Sequence, residues 1–268
     1  MNCLEVRDVS YSVGEKSILS HVSFGVSAGE FVALIGPNGA GKSTLFSVIA
    51  GDAAPCAGDV QLMGDSVSTL SELGQSRRRA VQLQHQSVAY SYLVREVVEM
   101  GRRPWTGTPY AADDEAAVLE AIGLADMSGF EARDVTTLSG GEQARVSYAR
   151  TCAQRTRVVL ADEPTAALDL GHQEALLTSL RSRAGRGAAV VTVLHDLTLA
   201  ASYADRVVLL NAGKIEAIGT PVEVLTGERL SRVYSTPIEV FPHPVTGALL
   251  VLPDRNYARK KAHEHAAV

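Results

Sequence analysis

The sequence lacks any apolar run approaching the ~20 residues that a bilayer crossing requires, so no segment of it is expected to span a membrane. Residues 1–10 carry neither the charged nor the apolar region of a signal peptide, and the chain is expected to stay in the cytosol. Cysteine is scarce: Cys3, Cys56 and Cys152 are odd in number, widely scattered and without paired metal-ligand spacing. That pattern argues against both a disulfide framework and a zinc site. A long basic block is also missing, and 25 Lys and Arg against 30 Asp and Glu give a formal net charge of −5. Duplex nucleic acid is therefore not an expected partner. What is present is ordinary for a globular protein, with 46% hydrophobic and 21% charged residues in 268, enough for one large core or two modest ones.

The most informative stretch is Gly36-Pro37-Asn38-Gly39-Ala40-Gly41-Lys42-Ser43-Thr44. Residues 31–35 before it are apolar or β-branched enough for a buried strand, and Leu45, Val48 and Ile49 after it recur at helical spacing. Strand, loop and helix in this order are the context of a phosphate-binding P-loop. Its glycines let backbone N–H groups turn inward around phosphate oxygens. Lys42 then neutralises terminal phosphates, Ser43 offers a hydroxyl to Mg²⁺, and the positive end of the new helix faces the same anion.

Around this loop the pattern predicts strands over residues 4–13 and 21–26, a turn at Ala28-Gly29-Glu30, and a short strand over 58–64 closed by glycine. Residues 76–79 read as a basic, solvated face, and 80–84 as a further strand. From 94 to 153 the chain reads as mostly helical. Val94, Val97, Val98 and Met100 form one stripe, Asp113-Asp114-Glu115 begins a helix, and Gly123 stops it. Leu138-Ser139-Gly140-Gly141-Glu142-Gln143 leads into another helix. Strands over 157–161, ended by Asp162-Glu163-Pro164, and over 188–194, ended by His195-Asp196, alternate with helices and imply a parallel sheet. A hairpin is expected over 207–218, and residues 254–268 read as a loose polar tail.

The P-loop, Ser139-Gly140-Gly141-Glu142-Gln143, Asp162-Glu163 and Leu194-His195-Asp196 occur in an order and spacing that resemble the ATP-binding subunits of ABC transporters. The resemblance implies an α/β fold of the P-loop NTPase type, with an antiparallel β subdomain, a mainly parallel core sheet and an inserted helical subdomain. It implies one cassette over 1–268: residues 1–84 and 154–220 as nucleotide-binding core, 85–153 as helical subdomain carrying the signature, and 221–268 as C-terminal extension. Carried over by position, Tyr11 matches the aromatic that stacks on adenine and Gln84 the Q-loop glutamine. Ser139 to Gln143 match the signature, Asp162 the Walker B carboxylate, Glu163 the catalytic glutamate, Asp169 the D-loop aspartate and His195 the switch histidine. Two departures stand out: Gln82-Leu83 precedes Gln84 where relatives show an aliphatic residue and proline, and Ala144 replaces a second glutamine.

A narrower resemblance, to importers of iron chelates, rests on three stretches. They are residues 84–90, residues 96–104 with Gly101-Arg102-Arg103-Pro104, and Phe241-Pro242-His243-Pro244-Val245-Thr246-Gly247. The last looks most like the haem branch, with ferric siderophore and cobalamin importers as alternatives. A soluble ABC ATPase outside transport, such as an iron–sulfur assembly scaffold, is the alternative from another class. The resemblance implies MgATP hydrolysis in a head-to-tail homodimer, with Mg²⁺ held by Ser43, Gln84 and, through water, Asp162. It implies Glu163 as general base, His195 on the γ-phosphate, and the signature completing the partner's site. Separate permease subunits would dock near residues 87–104, with an extracellular or periplasmic substrate-binding protein beyond them. His243 reads as a loop histidine rather than a haem ligand.

Overall fold

The computed structural model describes residues 2–83 and 91–255. The chain opens with two long paired strands, β1 (Asn2–Val13) and β2 (Lys16–Ser27), followed by β3 (Phe31–Ile35) and α1 (Lys42–Ala50). Next come β4 (Ala57–Leu62), β5 (Asp65–Ser66), α2 (Glu72–Ser76) and β6 (Arg79–Gln82). A helical stretch follows, with α3 (Val94–Glu99), α4 (Asp114–Leu124) and α5 (Gly140–Ala153). Then β7 (Val158–Asp162), α6 (Leu170–Gly185), β8 (Ala189–Val193), α7 (Leu197–Tyr203) and β9 (Arg206–Asn211) alternate. The described chain closes with β10 (Lys214–Gly219), α8 (Pro221–Val224), α9 (Gly227–Tyr234), β11 (Ile238–Pro242) and β12 (Leu249–Pro253).

The central sheet has the order β10-β9-β3-β8-β7-β6, in which only the edge strand β10 runs antiparallel. Its inner strands are continuous apolar runs, Phe31–Ile35 and Ala189–Val193 being buried at every position. A parallel sheet covered on both faces requires such runs. Alternate residues serve the two faces. Phe31, Ala33 and Ile35 enter a core shared with α3 to α9, while Val32 and Leu34 enter a second core shared with α1 and the antiparallel sheet β2-β1-β4-β5. The period of two along β3 therefore joins both cores through one strand. No described helix is long and apolar enough to cross a membrane.

Several local expectations need correction. Residues 76–79 are not a solvated face: Arg79 opens β6 with its guanidinium half-buried and donating to Gln75 at 2.9 Å. Burial pushes its pKa down, with the charge of Asp52 opposing. Arg78 pairs with Asp65, and Arg77 donates to the Pro104 carbonyl at 2.8 Å, so this run stitches three segments together. Helix α4 runs past Gly123, because the Ala125 N–H still finds the Ala121 carbonyl at 3.1 Å. Met100 leaves the α3 stripe for a 3-10 turn over Met100–Trp105, tightened by Pro104. The strand expected over 58–64 ends at Leu62, where Met63 and Gly64 take φ of 57° and 90° to turn into β5.

Candidate functional site

The C-terminal edge of the parallel sheet collects the P-loop after β3, Asp162 and Glu163 at the end of β7, and His195 after β8. Register fixes their proximity, since Leu34 and Asp162 both pair with Val193. At Gly36, φ is 148° and a Cβ would lie 2.2 Å from the Leu210 carbonyl oxygen, so no other residue fits. Gly41 has φ of 100° and caps α1, and its missing Cβ lets Leu19 of β2 approach. Ala40 is buried in the core and its carbonyl accepts from Gly213 N–H at 3.0 Å, which ties the loop to the β9–β10 turn. Pro37 is half-buried, while Asn38 and Gly39 stand exposed at the tip.

Lys42 is 6% exposed, and its Nζ donates to the carbonyls of Gly36 at 2.8 Å and Pro37 at 3.0 Å. Burial pushes its pKa down, while the negative charges of Glu163 and Asp162 oppose that shift. The ammonium thus sits within the field of both carboxylates. Ser43 and Thr44 occupy the first turn of α1, with Ser43 exposed at the helix N-terminus. An oxyanion there meets free N–H groups and the positive end of the dipole.

Asp162 is the most telling group of the site. Its Oδ1 is buried and has no hydrogen-bond partner among the described residues. Burial, and then the charge of Glu163, push its pKa up, with His195 and Lys42 opposing. A carboxylate oxygen held out of water without a donor is costly unless a cation or bound water satisfies it. Together with the exposed hydroxyl of Ser43 it makes a hard oxygen donor set of the kind that suits Mg²⁺.

Glu163 follows in a left-handed conformation, φ 45°, a position that costs a non-glycine residue ~1–3 kcal/mol and re-aims its side chain. Its N–H donates to the Val193 carbonyl at 3.2 Å, and its Oε1 is hydrogen-bonded to His195 Nε2. The strain is held by β8, the strand that also presents His195. Asp196 then caps α7, accepting from Thr198 N–H at 2.7 Å and Leu199 N–H at 3.0 Å. Its signal was an Asp directly before the helical residues Leu197 to Tyr203.

The signature lies elsewhere on the chain. Ser139 caps α5, accepting from Glu142 N–H at 3.3 Å, while the Glu142 carboxylate accepts from Ser139 N–H at 2.7 Å. Those bonds from Ser139 hold the Glu142 carboxyl below its ordinary range. Gly140 opens the helix, and a Cβ on Gly141 would stand 3.2 Å from the Ala167 carbonyl. Asp169 caps α6 by accepting from His172 N–H at 2.9 Å, a bond that lowers its carboxyl pKa. Ser139, Gly141, Glu142, Arg145, Asp169 and His172 line a cavity of about 280 Å³ to which no P-loop residue contributes. Within one chain, this cavity and the P-loop are therefore built from different residues.

Tyr11 is half-buried on β1 opposite Leu19, the residue whose side chain approaches Gly41. That places the aromatic one strand pair from the P-loop. Gln84 lies outside the described residues. His243 sits in the β11–β12 turn, where Nδ1 accepts from Val245 N–H and Thr246 N–H at 3.2 Å each. Sequence reasoning missed Tyr234, at the end of α9, whose phenol is hydrogen-bonded by the Gly36 backbone and pushed up to about 12 by burial. It also missed Thr192 and the tight burial of Gln82: Gln82 Oε1 and Thr192 Oγ1 are buried without partners among the described residues, flanking Ala161 across the sheet. Nothing local in sequence marks the Tyr234 contact or these two buried polar atoms.

Comparison with known proteins follows the same geometry. The model of the ABC transporter family matches residues 19–166, which run from β2 through the P-loop and signature to just past Glu163. The chain is 54% identical over 241 residues to the "Hemin import ATP-binding protein HmuV" of Nocardia farcinica, covering 90% of this chain and 84% of that one. It is 41% identical over 266 residues to the "Cobalamin import ATP-binding protein BtuD" of Halobacterium salinarum, covering 98% of this chain and 67% of that one. Among solved structures, the dimeric bacterial ABC transporter cassette MJ0796 superposes with a TM-score of 0.73 at 27% identity, over 81% of this chain and 98% of that one. With a family model spanning more than half its length and a relative more than half identical, the chain belongs to the ABC transporter family.

Proposed function

We propose that this chain is the ATP-hydrolysing subunit of a haemin importer, working as a homodimer bound to a separate membrane permease on its cytoplasmic face. The observation that carries the catalytic part is the convergence of Lys42, Asp162, Glu163 and His195 at one sheet edge. Support for the cargo is the 54% identity to a protein named for haemin import. A substrate-binding protein outside the cell, reached through the permease, belongs to the same reading. Nucleic acid does not.

Phosphoryl transfer leaves the protein little covalent work, so positioning and charge carry the rate. Lys42 and the backbone N–H groups of the loop, from Asn38 to Thr44, cradle the β- and γ-phosphates. Ser43, Gln84 and, through water, Asp162 would hold Mg²⁺, which would supply neutralisation of phosphate charge. Glu163 orients the attacking water and takes its proton. His195 holds the Glu163 carboxylate through Nε2 and faces the γ-phosphate. Tyr11 stacks on adenine. Ser139, Gly140, Gly141 and Glu142, with Asp169 beside them, present the N-terminus of α5 to the γ-phosphate bound by the partner chain.

The test is ATP-dependent uptake in vesicles holding this chain, its permease and a haemin-binding protein, with ferric siderophore and cobalamin as competing cargoes. Haemin uptake that disappears in Glu163→Gln is the expected result. Uptake of cobalamin in preference to haemin would move the cargo to the branch represented by the 41% identical relative. ATP hydrolysis without uptake of any of the three would place the chain outside iron-chelate import.

A further inference from the structure

At the opposite edge of the sheet from the P-loop, the C-terminal ends of α4, α5 and α6 converge on a cavity of about 630 Å³. Arg155 and Arg157 reach it from the segment before β7, and Arg183 and Arg186 from the end of α6. The lining holds one acidic residue, Glu120 of α4, which pairs with Arg155 at 2.5 Å and Arg186 at 3.7 Å. Among the described residues neither Arg157 nor Arg183 has a carboxylate partner, and Arg183 donates only to the Thr151 carbonyl, at 3.4 Å.

Arginines at helix C-termini have an ordinary use, to offset the negative end of the dipole. Each end amounts to roughly half a charge, so three ends and Glu120 offset about two and a half of the four guanidinium charges. A positive excess remains in a chain whose formal net charge is −5. It is concave, and it is walled on its other sides by Ala28, Ala117, Ala121 and Leu124. Guanidinium groups in a partly enclosed site bind oxyanions through paired N–H donors. The volume lies within the range of small-molecule sites, roughly 300–1,000 Å³, and is far larger than one phosphate needs. A second cavity, of about 420 Å³, shares Arg155, Thr156 and Arg157 and carries Trp105 and Tyr110, whose rings lie 5.0 Å apart. Arg157 thus stands, without an ion pair among the described residues, at the boundary of an apolar-walled and an aromatic-lined space.

We propose that this cavity is a second, non-catalytic site for a soluble phosphorylated small molecule, its phosphate held by Arg157 and Arg183 and its apolar body lying along the α4 wall. The ligand would bridge α4 and α5 to the end of α6. Nothing in the proposal depends on the cargo or on the roles given to the P-loop residues.

The test uses isothermal titration of the full chain with inorganic pyrophosphate as probe, after the P-loop has been saturated with ADP. One further site per chain is expected, weakened about tenfold or more in Arg157→Ala/Arg183→Ala, as for loss of a charge-assisted pair. Arg181→Ala is the control, because it removes the same charge from the same helix where Arg181 pairs with Asp205. Unchanged ADP affinity in each variant checks the fold. Should the double variant fail that check, Arg157→Gln alone serves, since this exposed side chain makes no ion pair among the described residues. Absence of any titration beyond ADP saturation overturns the proposal. So does an equal loss in Arg181→Ala, or no loss in the Arg157 and Arg183 variants.

Discussion

The carboxylate of Glu163 and the Nε2 of His195 are hydrogen-bonded across the ends of two adjacent parallel strands, β7 and β8. The bond explains why Glu163 tolerates a left-handed backbone: the turn that strains it is what carries its side chain to His195. Glu163→Gln keeps the hydrogen bond and the Asp162 carboxylate while removing the base. ATP-bound dimers should accumulate on size exclusion, and phosphate release should fall by at least ~100-fold. Near-normal turnover in this variant would sink the assignment of Glu163.

The separation of the Ser139 cavity from the P-loop leads to a complementation experiment. Lys42→Ala and a bulky Ser139→Arg should each nearly abolish hydrolysis as homodimers, because both composite sites are damaged. In the mixed dimer, intact Lys42 of one chain meets intact Ser139 of the other, leaving one whole site. Hydrolysis should recover in part on mixing. A proven heterodimer with no recovery would count against the shared-site arrangement.

How much of this was legible beforehand depended on whether the cause was local. The P-loop was readable because Gly36 and Gly41 take positive φ, a local backbone demand that glycine meets, although the groups that crowd them, the Leu210 carbonyl and Leu19, lie far off in sequence. The Ser139 and Glu142 cap follows from a spacing of three, and the buried strands from unbroken apolar runs. Residues 76–79 depart from the expected solvated face because, although a charge run is ordinarily solvated, here α2, β5 and the Pro104 turn pack against it. The contact of Tyr234 with Gly36 joins distant parts of the chain, and no period or propensity encodes it.

Asp162 should reveal a trade between function and stability. Burial raises its pKa, so between the unfolded and folded values the folded chain binds more protons, and stability falls as pH rises through that window. Asp162→Asn removes the cost of the buried charge. In buffer without magnesium or nucleotide the variant should melt at a higher temperature than the parent at pH 7. The advantage should shrink as pH falls through the raised pKa and vanish below the ordinary Asp value of about 3.9. Magnesium-dependent hydrolysis should be lost at every pH. A lower melting temperature at pH 7 would mean that Oδ1 is satisfied in solution.

Cargo choice should reside outside this chain, because only groups that touch cargo discriminate by differential affinity. His243, the most tempting haem ligand by sequence, is occupied: Nδ1 accepts two backbone N–H bonds, which puts the proton of the neutral ring on Nε2 and makes the side chain a brace for the β11–β12 turn. Val251 N–H donates to Thr198 Oγ1 at 3.2 Å, so the same hairpin is anchored to α7, close behind His195. His243→Ala should therefore loosen the hairpin and lower the melting temperature by a few degrees, in line with loss of about 1 kcal/mol of turn hydrogen bonding. The ratio of haemin to siderophore uptake should stay unchanged. Replacing residues 87–104 by those of a related ATPase should alter coupled hydrolysis rates but leave cargo preference with the permease. A preference that follows the ATPase in either experiment would put cargo recognition in this subunit and overturn the division of labour.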